Sequence, residues 1–248
     1  MDKALTDKIN KLKGMIESSV RIVFLGGAGV SCESGIPDFR SSNGIFEAIK
    51  KYGYPPEELL SHTFFMQKTD TFFEYYKELL LSPDAKPNRA HLALAELEGR
   101  GKLTAVITQN IDGLHQIAGS RNVYELHGSI HRNHCMKCYK FFDAEFIGAA
   151  KGIPYCHCGG IIKPDVVLYE EPLDHECLNG ALTHVMRADM MIVGGTSLQV
   201  YPAAGLIDYY RGERLVLINK SATPYDRRAD LVINESIGTV LGDAVMKQ

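Results

Sequence analysis

Apolar residues fall in short continuous runs, each closed by turn formers. RIVFLGG (21–27), LTAVITQN (103–110), NVYEL (122–126), DMMIVGGTS (189–197), RLVLIN (214–219) and ADLVIN (229–234) are aliphatic or β-branched along most of their length. They do not alternate apolar with polar. That pattern predicts strands buried on both faces of a parallel sheet. The stretches between them have helical spacing: NRAHLALAELEGRG (88–101) sets Leu92, Ala95 and Leu97 among charges and ends in glycine, and YPAAGLIDYYRG (201–212) is similar. Strand and helix in alternation predict an α/β, Rossmann-type doubly wound parallel sheet.

Two segments interrupt the alternation. Residues 45–84 are helical in pattern and rich in aromatics, and residues 131–163 carry cysteines, glycines and prolines. They are expected to form a smaller lobe of a helical module (45–84) and a metal-binding module (131–163). The main domain is then discontinuous, built from 1–44, 85–130 and 164–248.

Composition narrows the function classes. With 27 basic and 30 acidic residues the net charge is −3, and no block of like charge occurs, so neither nucleic acid nor membrane is an expected partner. No apolar run reaches membrane-spanning length, and the N-terminal stretch reads as an amphipathic helix without a secretory leader, so a cytoplasmic location is expected. Four of the six cysteines pair up as Cys135-x-x-Cys138 and Cys156-x-Cys158. Four thiolates can enclose one structural zinc ion and leave no open coordination position. His134 and His157 adjoin the pairs as possible substitute ligands.

Candidate chemistry gathers where strands end. Gly27-Ala28-Gly29 follows the first strand as a dinucleotide-binding turn would, but Cys32 occupies the third glycine position of that fingerprint. The chain then runs into Pro37-Asp38-Phe39-Arg40, a turn-rich stretch able to fold over a ligand, or simply to pack. Gln109, Asn110 and Asp112 follow the second strand, where ligands of open α/β sheets bind, although turn and cap roles suit them equally. His127 sits after a short strand and can accept a proton near neutral pH. Gly195, Thr196, Ser197 and Asn219 end two further strands as small groups suited to adenosine or ribose. The extended segment 162–172 offers an edge to which a peptide could add as a strand.

GAGVSCESGIPDFR, TQNIDGLH, ELHGS, the paired cysteines, KPDVV and GGTSLQVYP occur in one order along the chain, and together they resemble the sirtuin family of NAD-dependent protein deacylases, bacterial type. The resemblance implies NAD as co-substrate and one structural zinc. It implies removal of acetyl or another neutral acyl group from protein lysines, giving nicotinamide, deacylated lysine and O-acyl-ADP-ribose. Carried onto this sequence, Gly27, Ala28, Gly29, Cys32, Pro37, Asp38, Phe39 and Arg40 would form the cofactor loop. Gln109 would bind ribose, Ile111 and Asp112 nicotinamide, and Gly195, Thr196, Ser197 and Asn219 the adenosine half. His127 would be the general base, with Asn110 and Asp112 beside it in the catalytic set. Val166, Val167, Tyr169 and Val200 would border the acyl-lysine, with the peptide clamped between 165–169 and 198–201. Relatives that prefer succinyl or malonyl groups carry Tyr-x-x-Arg in the helical module; here Glu78 and Leu79 follow Tyr75 and Tyr76, so a neutral acyl group is expected. Glu170 stands where relatives usually carry glycine, and a carboxylate there would favour basic peptides. Mono-ADP-ribosyl transfer and a non-catalytic NAD- and zinc-binding scaffold are the alternative readings.

Overall fold

A computed structural model describes residues 3–37, 42–82 and 84–246 of the chain. In chain order the strands are β1 (Ile22–Gly26), β2 (Leu103–Thr108), β3 (Val123–Glu125), β4 (Asn133–Cys135), β5 (Phe141–Phe142), β6 (Ile162–Pro164), β7 (Met190–Gly194), β8 (Leu215–Ile218) and β9 (Leu231–Ile233). The α-helices are α1 (Lys3–Ser18), α2 (Ser42–Tyr52), α3 (Pro56–Leu59), α4 (His62–Gln67), α5 (Thr69–Leu79), α6 (Arg89–Gly99), α7 (Leu114–Ile117), α8 (Ala144–Ala149), α9 (His175–Arg187) and α10 (Ile237–Val245).

Six strands form one sheet in the order β3-β2-β1-β7-β8-β9, every neighbouring pair parallel. The strand order reverses between β1 and β7, and the crevice at such a switch point is where doubly wound sheets bind ligands. The continuous apolar runs have a direct cause. In β1, Ile22 and Phe24 face α1, α6 and α10 among Leu12, Leu94 and Leu241, while Val23 and Leu25 face α9 beside Ala181 and Val185. Successive residues therefore enter two different cores, and neither side reaches water.

The smaller lobe is a helical module, α2 to α5, and a three-stranded antiparallel sheet, β5-β4-β6, with α8. One core joins them: Phe65, Phe72, Phe73 and Tyr76 of the helices pack with Cys135, Phe142, Ile147, Cys156 and Ile162 of the sheet module. Phe65 meets Phe72 edge to face at 4.9 Å between ring centres, and Phe72 stacks on Tyr76 at 5.7 Å. Such contacts add to the area burial that holds the lobe together.

The structure departs from the sequence expectation in two places. Residues 203–209 form 3-10 turns, not an α-helix; Pro202 lacks an N–H and Gly205 disfavours the α-helix. After β1 the chain makes two 3-10 turns (Ala28–Val30 and Cys32–Ser34) and ends them with Gly35 at φ 84°, so no α-helix N-terminus faces a phosphate there.

Beneath the switch point, His91 of α6 and His115 of α7 lie ring to ring at 4.7 Å, with Phe24 of β1 beside them. His91 Nδ1 accepts from Asn88 N, but His91 Nε2 and both ring nitrogens of His115 are buried without a partner among the described residues. Burial holds both imidazoles well below their ordinary pKa; the charges of Asp112 and Glu33 partly oppose this at His91, and His91 reinforces it at His115. The unfolded chain thus binds protons that the folded chain refuses, so stability is retained above the ordinary histidine pKa near 6.5 and falls as the pH drops below it. The expected slope is up to about 1.4 kcal/mol per pH unit for each histidine. Denaturant titrations between about pH 8 and pH 5 check it, and His115→Phe should flatten the curve.

Candidate active site

The β1 and β7 turns meet backbone to backbone. Gly29 N donates to Gly195 O at 2.8 Å. A Cβ on Gly29 would lie 2.7 Å from Gly195 Cα, and one on Gly27 would lie 2.9 Å from Thr196 Cβ. These glycines let two loops close on each other; room for a ligand is a consequence of that closure. Gln109 and Thr196 then meet across the switch point, Gln109 Nε2 donating to Thr196 Oγ1 at 3.1 Å. Thr196 N donates to Asn219 Oδ1 at 2.9 Å. Two buried atoms here, Gln109 Oε1 and Asn219 Nδ2, have no partner among the described residues. One acceptor and one donor left unsatisfied at a switch point fit a ligand bearing hydroxyls and ring nitrogens, as NAD does.

A cavity of about 230 Å³ opens beside them, lined by a polar group that includes Ser31, Gln109, Asn110, Asp112 and His127 and by apolar residues that include Ala28, Leu60, Leu79, Ile111, Val166 and Leu168. Pro37, Val167, Tyr169, Val200 and Tyr201 complete its walls. Ser31 is the organiser of the polar group. Its hydroxyl donates to Asp112 Oδ2 at 2.6 Å and accepts from Asn110 Nδ2 at 2.9 Å, tying the β1 turn to the β2 turn. Asp112 Oδ1 also accepts from Leu114 N at 2.9 Å. Ser31 is buried and was not singled out by sequence, where it reads as one small residue in a turn.

His127 Nδ1 lies 3.0 Å from the Gln109 carbonyl. A carbonyl only accepts, so Nδ1 carries the proton and Nε2 is the ring's basic nitrogen. The next residue explains how a second wall reaches this histidine. Gly128 has φ 75°, and a Cβ there would come within 1.8 Å of Asp165 O. Segment 165–167 consequently lies on the His127–Gly128 backbone, with Val167 N donating to His127 O at 2.9 Å.

The same segment is tied to the helical module. Tyr169 N donates to Leu60 O and His62 N to Tyr169 O, at 2.9 and 3.0 Å. Leu168 N donates to Glu171 Oε2 at 2.9 Å. Three of the four N–H groups in 166–169 are thus engaged within the protein.

Of the remaining sequence candidates, Cys32 and Ser197 are exposed and do not line the cavity, whereas Thr196 is buried at the β7 turn. Asp38, Phe39 and Arg40 lie outside the described residues.

The four Sγ atoms of Cys135, Cys138, Cys156 and Cys158 lie within 4.8 Å of one another, Cys135 and Cys158 being 3.4 Å apart. A tetrahedron with Zn–S bonds near 2.3 Å has edges of about 3.8 Å, whereas a disulfide needs about 2.05 Å. The cluster therefore has the donor set and spacing for one zinc ion. Lys137 N points at Cys135 Sγ at 3.4 Å, and a Cβ on Gly160 would meet that sulfur at 2.7 Å. The histidine alternatives fall away: His134 is bonded to Asp165 at 2.8 Å, and His157 is exposed and outside the cluster.

Comparison with known proteins agrees with this geometry. The model of the Sir2 family matches residues 27–202. An NAD-dependent protein deacetylase of Clostridium perfringens (strain 13 / Type A) is 60% identical over 243 residues, covering 97% of this chain and 100% of the relative. A solved Sir2 homologue in complex with NAD superposes with TM-score 0.85 at 40% identity, covering 95% of this chain and 91% of that one. A solved Sir2 bound to acetylated peptide gives TM-score 0.82 at 36% identity, with 94% and 95% covered.

Two outcomes follow from the site's construction. Stripping the metal with a chelator should lower Tm by roughly 5 °C or more, because Cys135 and Cys156 sit in the lobe's core; thermal melting with zinc quantitation checks it. Ser31→Ala removes the bridge between Asn110 and Asp112 and should lower kcat/KM for NAD by roughly tenfold, a loss of about 1.4 kcal/mol, with little change in Tm. Steady-state kinetics with NAD varied measures it.

Proposed function

The chain belongs to the Sir2 family, and on that premise we propose how its residues divide the work of NAD-dependent protein deacetylation. NAD, when bound, supplies a sugar carbon that can exchange its nicotinamide for an acyl oxygen. Gly27, Ala28 and Gly29 with Gly195, Thr196 and Asn219 form its cradle, and Gln109 offers an unsatisfied amide oxygen to its hydroxyls. Asn110 and Asp112, held in one network by Ser31, orient polar atoms at the reacting end.

His127 takes a proton at Nε2. Its Nδ1–H stays on the Gln109 carbonyl, so the imidazolium that forms keeps one hydrogen bond it already has. The apolar part of the cavity accepts an acyl-lysine with a neutral acyl group. No lysine or arginine among the described residues lines the cavity, so an acyl group ending in a carboxylate would find no counter-ion there. Val166, Val167, Tyr169 and Val200 border the entering peptide, which pairs over a short edge. Nucleic acid is not an expected partner. No helix among the described residues is long and apolar enough to cross a membrane, and we place the protein in the cytoplasm.

The observation that carries this reading is the His127 ring anchored by the Gln109 carbonyl in a cavity that it shares with segment 166–169. His127→Ala should reduce acetyl-lysine turnover by roughly 10²- to 10⁴-fold. Mass spectrometry of an acetylated peptide with NAD checks it: the native protein should yield free lysine and O-acetyl-ADP-ribose in equal amounts. An ADP-ribosylated protein acceptor in their place would select the transferase alternative.

A further inference from the structure

We propose that Glu170 makes the site select acyl-lysines flanked by basic residues. The inference rests on the deacetylase reading, because it takes the peptide to lie along segment 165–169. The charged groups among the described residues that line the cavity are three carboxylates, Asp112, Glu170 and Glu171, with His127 as the remaining titratable side chain of the polar group.

The three carboxylates have different duties. Asp112 is bound to Ser31 and to Leu114 N in the polar group. Glu171 is an internal brace: Oε1 meets His62 Nδ1 at 2.9 Å, while Oε2 meets Lys163 Nζ at 3.1 Å and Leu168 N at 2.9 Å. Lys163 balances its charge. Glu170 is exposed, and no lysine or arginine among the described residues pairs with it. Its Oε2 accepts from Thr63 N at 2.9 Å and from Thr63 Oγ1 at 2.7 Å, and its Oε1 has no protein partner among the described residues.

Backbone geometry shows that this carboxylate is held in place. Glu170 has φ 75°, a left-handed conformation that glycine adopts at little cost and other residues do not. The two bonds to Thr63 offset that cost and fix the carboxylate beside Tyr169, whose side chain lines the cavity. The Thr63 hydroxyl first, then the Thr63 N–H, holds the carboxyl below its ordinary pKa, so it is ionised at neutral pH. A fixed negative charge at the cavity wall, with no lysine or arginine paired to it among the described residues and only the His62 imidazole acting on it, attracts lysine or arginine on either side of the modified lysine and repels acidic neighbours. Because the charge is exposed, the preference is modest, roughly threefold in affinity, and screened by salt.

The test uses the full-length protein and fluorescein-labelled acetyl-lysine peptides identical except for the neighbouring residues: arginine, glutamine or glutamate. Fluorescence polarisation measures binding at low and at high salt, and turnover with NAD is followed in parallel. Expected is about threefold tighter binding of the arginine peptide than of the glutamine peptide, with the glutamate peptide weakest, and the ranking should flatten at high salt. Glu170→Gln, which keeps an acceptor for Thr63, should bind the three peptides alike. Equal binding by the native protein, or a ranking that survives in Glu170→Gln, overturns the proposal. A charge ranking without NAD-dependent turnover supports Glu170 and overturns the deacetylase reading; turnover without a ranking does the reverse.

Discussion

The contact on which the site depends is the laying of one backbone directly upon another. Segment 165–167 rests against His127–Gly128 so closely that a methyl group at 128 would overlap the Asp165 carbonyl. The constraint is steric and absolute at the scale of a single atom. It brings the Val167 N–H onto the His127 carbonyl, so the His127 imidazole and segment 165–167 are parts of one hydrogen-bonded surface.

Both insertions converge on that segment. The zinc module delivers it from β6, and the helical module receives it through the backbone bonds between Leu60, His62 and Tyr169. Glu171 repeats the pattern with side chains, taking hydrogen bonds from His62 of α4 and from Lys163 of β6. The lobe is thus a frame around seven residues, and its aromatic core and its thiolate cluster act at the site through that frame. A metal held by the four cysteines would reach the site through this frame, because Cys135 and Cys156 lie in the core against which Val166 and Leu168 also pack.

Much of the fold was legible because burial on two faces leaves a one-dimensional trace. Ile22, Val23, Phe24 and Leu25 had to be apolar in succession once both sides of β1 were covered. The cysteine quartet was legible because four thiols at that spacing have few other uses in the absence of disulfide chemistry. Ser31 was not, since its importance lies in two partners about eighty positions away in sequence. Nor was the histidine pair, where His115 in TQNIDGLH reads as one more polar residue after a strand. The glycine loop reads in the sequence as a cofactor turn, whereas the contact of Gly27 and Gly29 with Gly195 and Thr196 is a requirement that only the β1–β7 neighbour relation reveals.

Periodicity marks 162–172 as an extended segment but does not tell which of its backbone groups are already engaged. Residues 162–172 look like an exposed edge because they are apolar and extended. An edge pairs through the alternate groups that point away from its neighbour; Val167 and Tyr169 give their N–H groups to His127 and Leu60, and Leu168 gives its own to Glu171. Those bonds fix the segment, and a peptide lying along it, as proposed, would find few free N–H groups there, leaving more of the discrimination to side chains near the entrance.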